Sequence, residues 1–183
     1  MTILMTDYRC KVGVAFFGGC GTNTSRRIVD GLDPKEYPDF SLFVANTDAK
    51  VQRRHYGNKE DVNQKRWEEV GCLTIHQLGG EEVTAGRGAG ANPETGRRAA
   101  QTQDSLNAMK HFFENQDALI LMGAVGGGTG TGALPVAAEL ASKTGKPTLA
   151  MIVIPDPDEG RTARATQALR TIQNLVPTIP VRN

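Results

Sequence analysis

The sequence predicts an α/β domain of three layers, a mostly parallel sheet covered by helices on both faces. Three observations carry this. Short, near-continuous apolar segments such as KVGVAFF, ALILMGAV and TLAMIVI read as strands buried on both faces, as parallel strands are. Helical patterns separate them, the alternation that builds parallel sheets. Glycine clusters stand where apolar segments end, at the strand-to-helix turns of such a sheet. With 183 residues, 39% hydrophobic and 22% charged, the chain suits one globular domain spanning residues 1–183.

In chain order, Lys11–Phe17 is the first strand, stopped by Gly18 and Gly19. Asn23 and Thr24 are N-cap residues for a short helix SRRIVDGL that closes near Gly31. Phe40–Ala45 is a second strand, ended by Asn46-Thr47-Asp48. Residues 52–72 are polar, hold the only tryptophan, and read as a helical excursion or insertion. Leu78–Pro93 is mostly loop. From Pro93 a helix is expected, with Thr102, Leu106, Met109 and Phe113 on one core-facing stripe. Ala118–Val125 is a third strand, followed by GGGTGTG and a helix over Ala133–Lys143 with Pro135 in its first turn. Thr148–Ile154 is a fourth strand. A helix over Arg161–Asn174 and a short strand near Val176–Val181 close the chain.

Charge and composition exclude several classes. Lys and Arg total 21 against 20 Asp and Glu, a net charge of +1, without the basic excess of a nucleic-acid binder. No apolar run reaches the ~20 residues of a membrane span, so no direct membrane insertion is expected. MTILMTDYRCK lacks the basic-then-apolar pattern of a secretory leader. Cys10, Cys20 and Cys72 are odd in number and form no CxxC pair, which fits a reducing cytoplasm. His55, His76 and His111 have no ligand cluster beside them, so no metal site is expected on them.

Glycine is the informative residue, 21 in the chain, well above the usual ~7%. Gly18-Gly19-Cys20-Gly21-Thr22-Asn23 joins the first strand to its helix, and Gly126–Gly132 joins the third strand to its helix. Without Cβ atoms the backbone can approach a ligand closely, and amides at a helix N-terminus present partial positive charge to a phosphate. Two such loops on one sheet edge, with Gly88-Ala89-Gly90-Ala91-Asn92 as a third, suit a polyphosphate. Thr129 and Thr131 add hydroxyl donors, and Asn23 an amide donor. No P-loop GxxxxGK[ST] is present, because Gly145-Lys146 is followed by Pro147. Gly128–Ala133 matches the weaker GxGxxA dinucleotide fingerprint, but after an internal strand and without the acidic residue that fingerprint needs. A nicotinamide-dependent oxidoreductase is therefore a remote alternative.

The ordered motifs resemble the FtsZ/tubulin family of polymerising GTPases, on the FtsZ side. The GGGTGTG signature stands at Gly126–Gly132, GGxGxN at Gly18–Asn23, NTD at Asn46–Asp48, and the T-x-G-x-GAGANPE-x-G stretch at Thr84–Gly96. The resemblance implies a Rossmann-like fold and a GTP or GDP site with its Mg²⁺. Phosphates would lie on Gly19, Cys20, Gly21, Thr22 and Asn23 and on Gly126, Gly127, Gly128, Thr129, Gly130, Thr131 and Gly132. Ala89, Gly90, Ala91 and Asn92 would lie by the γ-phosphate, Asp48 would belong to the site, and Glu159 would bond the ribose.

Departures from the family pattern shape the functional expectation. The arginine usual four residues after the ribose acid is replaced by Ala163, with Arg161 and Arg164 on either side; Arg164 is the candidate substitute through its length, a solvated helix charge is the other reading of it, and the choice between Arg161 and Arg164 stays open in the sequence. The connection over 52–72 is longer than usual. The central helix that reads guanine, the NxDxxD loop and the C-terminal GTPase-activating domain have no counterpart in these residues. The resemblance thus implies a GTP/GDP-binding domain of a cell-division or partition filament, cytoplasmic, self-associating head to tail or co-assembling with full-length relatives. Binding without turnover is expected of the chain alone. The alternative of a different class is a non-catalytic regulator that caps such filaments.

Overall fold

The computed structural model describes residues 9–182. Six strands form one sheet in the order β3-β2-β1-β4-β5-β6: β1 Val12–Phe17, β2 Phe40–Asn46, β3 Leu73–Gln77, β4 Ala118–Ala124, β5 Thr148–Ile154 and β6 Thr178–Arg182. Every pairing is parallel. Among the described residues seven α-helices cover the sheet: α1 Gly18–Gly31, α2 Ala49–Tyr56, α3 Val62–Glu69, α4 Pro93–Ala100, α5 Gln103–Glu114, α6 Thr129–Ser142 and α7 Thr162–Gln173.

Side-chain alternation along the strands divides the core in two. Val14 and Phe16 of β1 and Leu42 and Val44 of β2 pack with Val29 of α1, Tyr56 of α2 and Trp67 of α3. Ala15, Phe17, Phe43 and Ala45, one residue out of phase, pack on the other face with Met109 and Phe113 of α5, the alanines of α6, and Ile172 of α7. The sheet is therefore covered by α1–α3 on one side and α4–α7 on the other, the expected three layers.

Several element boundaries differ from the sequence reading, each for a local reason. The structure adds β3, which the reading lacked. Of its residues only Leu73, His76 and Gln77 are partly buried while Thr74 and Ile75 are exposed, so an edge strand never shows an apolar run. Residues 52–72 form the crossover from β2 to β3, and Trp67 there is almost wholly buried. The helix from Pro93 is two helices. Thr102 caps the second, its Oγ1 accepting from Ser105 N, while Met109 and Phe113 hold the core positions.

The two glycine motifs differ most. Helix α1 begins directly after β1 at Gly18, so Asn23 and Thr24 lie inside it and cap nothing; Thr24 Oγ1 donates back to the Cys20 carbonyl at 3.0 Å. Helix α6 begins at Thr129 rather than Ala133, which puts Pro135 inside the helix instead of in its first turn. Pro135 then has no N–H for the Thr131 carbonyl.

On β3, His76 stacks on Phe43, and its Nε2 stands 3.3 Å from Ser105 Oγ. Burial lowers its pKa from the ordinary 6.5, against the opposing pull of Asp104. The folded state thus binds fewer protons than the unfolded state below about pH 6.5. Stability is expected to be full above that pH and to fall as acid drives proton uptake by the unfolded chain. Urea midpoints at pH 7.5 and 5.5 measure this, and His76→Gln is expected to shrink the difference.

Candidate nucleotide-phosphate site

In the strand order 3-2-1-4-5-6 the chain runs outward from β1 to β3, then returns to pair β4 with the other side of β1. The carboxyl ends of β1 and β4 flank that topological switch point, where open α/β sheets bind ligands. Phe17 and Gly123 are register partners at this edge, so the first residues of α1 and the Gly126–Gly132 segment are brought side by side. Contact there is close: a Cβ on Gly18 would stand 3.2 Å from Gly130 N.

Helix capping singles out the same place. Asp48, Asp61, Asn92 and Thr102 side chains cap α2, α3, α4 and α5. Helices α1, α6 and α7 have no side-chain cap. The first amides of a helix have no partner within it, and the N-termini of α1 and α6 open on one cleft of about 300 Å³, with Arg161, the residue ahead of α7, on its wall. Its walls include Gly18, Gly19 and Cys20, Gly127 to Gly130, and Arg161. The charge complement of such a cleft is an anion.

The glycines of the two motifs include two contrasting kinds. Some are demanded by packing. A Cβ on Gly21 would meet the Phe16 carbonyl carbon at 2.9 Å, one on Gly128 would meet Ala89 Cβ at 2.8 Å, and on Gly130 or Gly132 backbone oxygens stand closer still. Gly19 and Gly127 are different. A Cβ on either meets nothing within 4 Å, and neither has the positive φ that side chains avoid. Protein packing and backbone conformation leave their lack of a side chain unexplained, whereas a ligand lying against the backbone explains it.

Around this cleft the other expected site residues form its frame. Thr22 is fully buried, donating to the Gly18 carbonyl at 2.9 Å and accepting from Asn46 Nδ2 at 3.0 Å. Thr131 is buried too, and its Oγ1 accepts from Gly126 N at 2.7 Å. Thr129 lines the cleft, and its Oγ1 lies 2.6 Å from Thr47 Oγ1. Asn23 is exposed on α1. Asp48 is the α2 cap, accepting from Lys50 N and Val51 N.

Ala89 is buried against Gly128, whose Cβ position also approaches Asn92 N at 2.9 Å. Gly90 and Ala91 are exposed and both left-handed, at φ 56° and 57°. Asn92 Oδ1 caps α4 through Glu94 N at 2.9 Å. Gly132 packs on α4. Arg164 lies outside the cleft wall; its Nη1 donates to the Ala91 carbonyl at 3.0 Å. The side chain of Glu159 lies outside the described residues. Burial raises the Cys20 thiol pKa, with a hydrogen bond to Thr24 pulling the other way, which keeps it protonated and suits a small packing residue.

Sequence reasoning named Gly18, Thr47 and Arg161 within or beside the motifs but did not count them among the site residues. A strand end followed at once by glycine signalled Gly18. For Arg161 the signal was its place just ahead of the last helix. For Thr47, buried between two motifs, no signal stood in the sequence.

Fold and cleft define an α/β protein with uncapped helix N-termini gathered at its switch point. The chain belongs to the Tubulin/FtsZ family, whose GTPase domain matches residues 11–180. It is 37% identical over 150 residues to the cell division protein FtsZ of Buchnera aphidicola subsp. Baizongia pistaciae, covering 82% of this chain and 33% of that relative. It is 31% identical to FtsZ 1 of Thermococcus kodakarensis, covering 97% and 42%. Among solved structures, FtsZ of M. jannaschii (W319Y mutant) superimposes with a TM-score of 0.76 at 28% identity, covering 95% of this chain and 47% of that one. CetZ2 of Haloferax volcanii, in a GTPγS-bound protofilament, shares the fold with a TM-score of 0.73 at 16% identity, covering 94% and 49%. The chain thus spans between a third and a half of the length of these relatives.

Proposed function

We infer that residues 1–183 form a single guanine-nucleotide-binding domain of an FtsZ-like filament protein, holding the phosphates of GTP or GDP on the backbone amides that open α1 and α6. The observation that carries this is the pair Gly19 and Gly127, whose bare backbone faces open space in the cleft. The α- and β-phosphates fit against these two segments, with the Gly88–Asn92 loop beside Gly128 within reach of a third. Glu159 is the candidate for the ribose. Among the described residues no cluster of three metal-ligating side chains exists. The Mg²⁺ of this reading is therefore carried in with the phosphates, which supply oxygen ligands alongside water.

Hydrolysis requires a group that orients or activates water. Among the described residues lining the cleft there is no Asp or Glu. On this reading the chain by itself binds without turning over, and the acid comes from a neighbouring subunit stacked head to tail, in the cytoplasm. FtsZ of M. jannaschii, 28% identical to this chain, was solved as a dimer, which supports self-association. Among the described residues no helix is long and apolar enough to cross a membrane.

Calorimetric titration of the chain with GTP, GDP and NAD in parallel, with Mg²⁺, tests the reading. Guanine nucleotides are expected to bind at least tenfold more tightly than NAD. Tighter binding of NAD, or no heat with any guanine nucleotide, overturns it.

A further inference from the structure

Two arginines stand three residues apart at the start of α7, and the structure gives them different surroundings. Arg161, just ahead of the helix, is the one cation among the described residues that line the cleft. It lies against the signature segment, since a Cβ on Gly126 would come within 3.4 Å of Arg161 Cβ. Gly126 has φ 110°, a backbone conformation that a side chain there would strain. Arg164, nearly one turn further on, faces a separate groove shared by Asn92, Arg97, Thr131 and Thr171. Its guanidinium is committed to the Ala91 carbonyl at 3.0 Å.

Ala91 is a non-glycine residue at φ 57°, a conformation that side chains avoid and that persists only where neighbours hold it. The bond from Arg164 is one such restraint, reaching from α7 to a loop 73 residues earlier in the chain.

Resting on the functional reading above, we propose that Arg161 supplies the cationic contact to the nucleotide's phosphates, while Arg164 is a positioning residue that latches the Gly88–Asn92 loop to α7. Between them position 163 is alanine, and the two flanking arginines divide the tasks. A guanidinium meets phosphate oxygens through paired N–H groups, and Arg161 reaches them from the cleft wall. Arg164 serves the ligand only through the loop it restrains.

Arg161→Gln and Arg164→Gln, with Arg161→Lys as a charge-retaining control, are compared with the parent chain for GDP and GTP affinity at 50 and 300 mM salt. Amide hydrogen exchange of residues 88–92 is followed in each. Arg161→Gln is expected to weaken both nucleotides at least tenfold and to flatten the salt dependence, with Arg161→Lys between it and the parent. Arg164→Gln is expected to keep GDP affinity within threefold and the parent's salt dependence, while exchange over residues 88–92 quickens. Parent-like binding by Arg161→Gln, or a loss in Arg164→Gln as large and as salt-sensitive, overturns the assignment while leaving nucleotide binding intact. A parent chain that binds no guanine nucleotide overturns the functional reading and this assignment together. Far-UV circular dichroism confirms that each variant is folded.

Discussion

Gly132→Ala is expected to destabilise the domain by about 3 kcal/mol, the upper end of what overpacking an interior costs. The added methyl would lie 2.2 Å from the Pro93 carbonyl oxygen and 2.3 Å from Arg97 N. Both are backbone atoms, so no side chain can swing aside. Helices α4 and α6 meet through facing glycines at this point: a Cβ on Gly96 would strike the Gly128 carbonyl oxygen at 2.3 Å. Relief requires the helices to separate, which opens the alanine-rich core between them. Urea denaturation measures the loss. Gly31→Ala, at the end of α1 where a Cβ meets nothing within 4 Å, is the control and is expected to leave the midpoint near that of the parent. An unchanged midpoint for Gly132→Ala would show that the helices are not held this closely.

Gly127→Ala and Gly19→Ala are expected to behave in the opposite way. Both positions accept a methyl without a clash or backbone strain, so the urea midpoint should hold, and alanine in the first turn of α1 even favours the helix. Nucleotide affinity should fall at least tenfold, about 1.4 kcal/mol, because the methyl occupies the space in which phosphate oxygens approach the amides. Full affinity in either folded variant would mean that the phosphates lie elsewhere. The contrast matters for choosing variants. Gly130→Val looks from sequence like a test of the phosphate loop, but a Cβ there would stand 2.1 Å from the Ala124 carbonyl oxygen. Thr131→Val likewise removes the acceptor of Gly126 N. Both disturb the fold before they report on a ligand.

Much of this molecule was legible before any coordinates. Thr148–Ile154 coincides with β5 to the residue, and β1, β2 and β4 differ from the reading only at their ends, because strands buried on both faces are apolar throughout. The half-exposed β3 escaped for the converse reason. So did the burial of Trp67, since α3 around it is polar and exposes most of its surface. The helix starts were misplaced because glycine is a poor helix former, and a run such as GGGTGTG reads as loop. Here tertiary packing overrides that propensity: Gly128, Gly130 and Gly132 are glycines because α4 and the end of β4 press against them.

The sequence by itself determined the parallel three-layer fold, the family, and the segments that meet at the cleft, since apolar runs and glycine clusters are local signals that survive without neighbours. Only the tertiary structure decided which glycines serve packing and which face open space in the cleft, that Thr22 and Thr131 turn inward, and that Arg161 rather than Arg164 lines the cleft. Those distinctions depend on distances between atoms from different elements, down to a few tenths of an ångström, and no pattern along one chain encodes them.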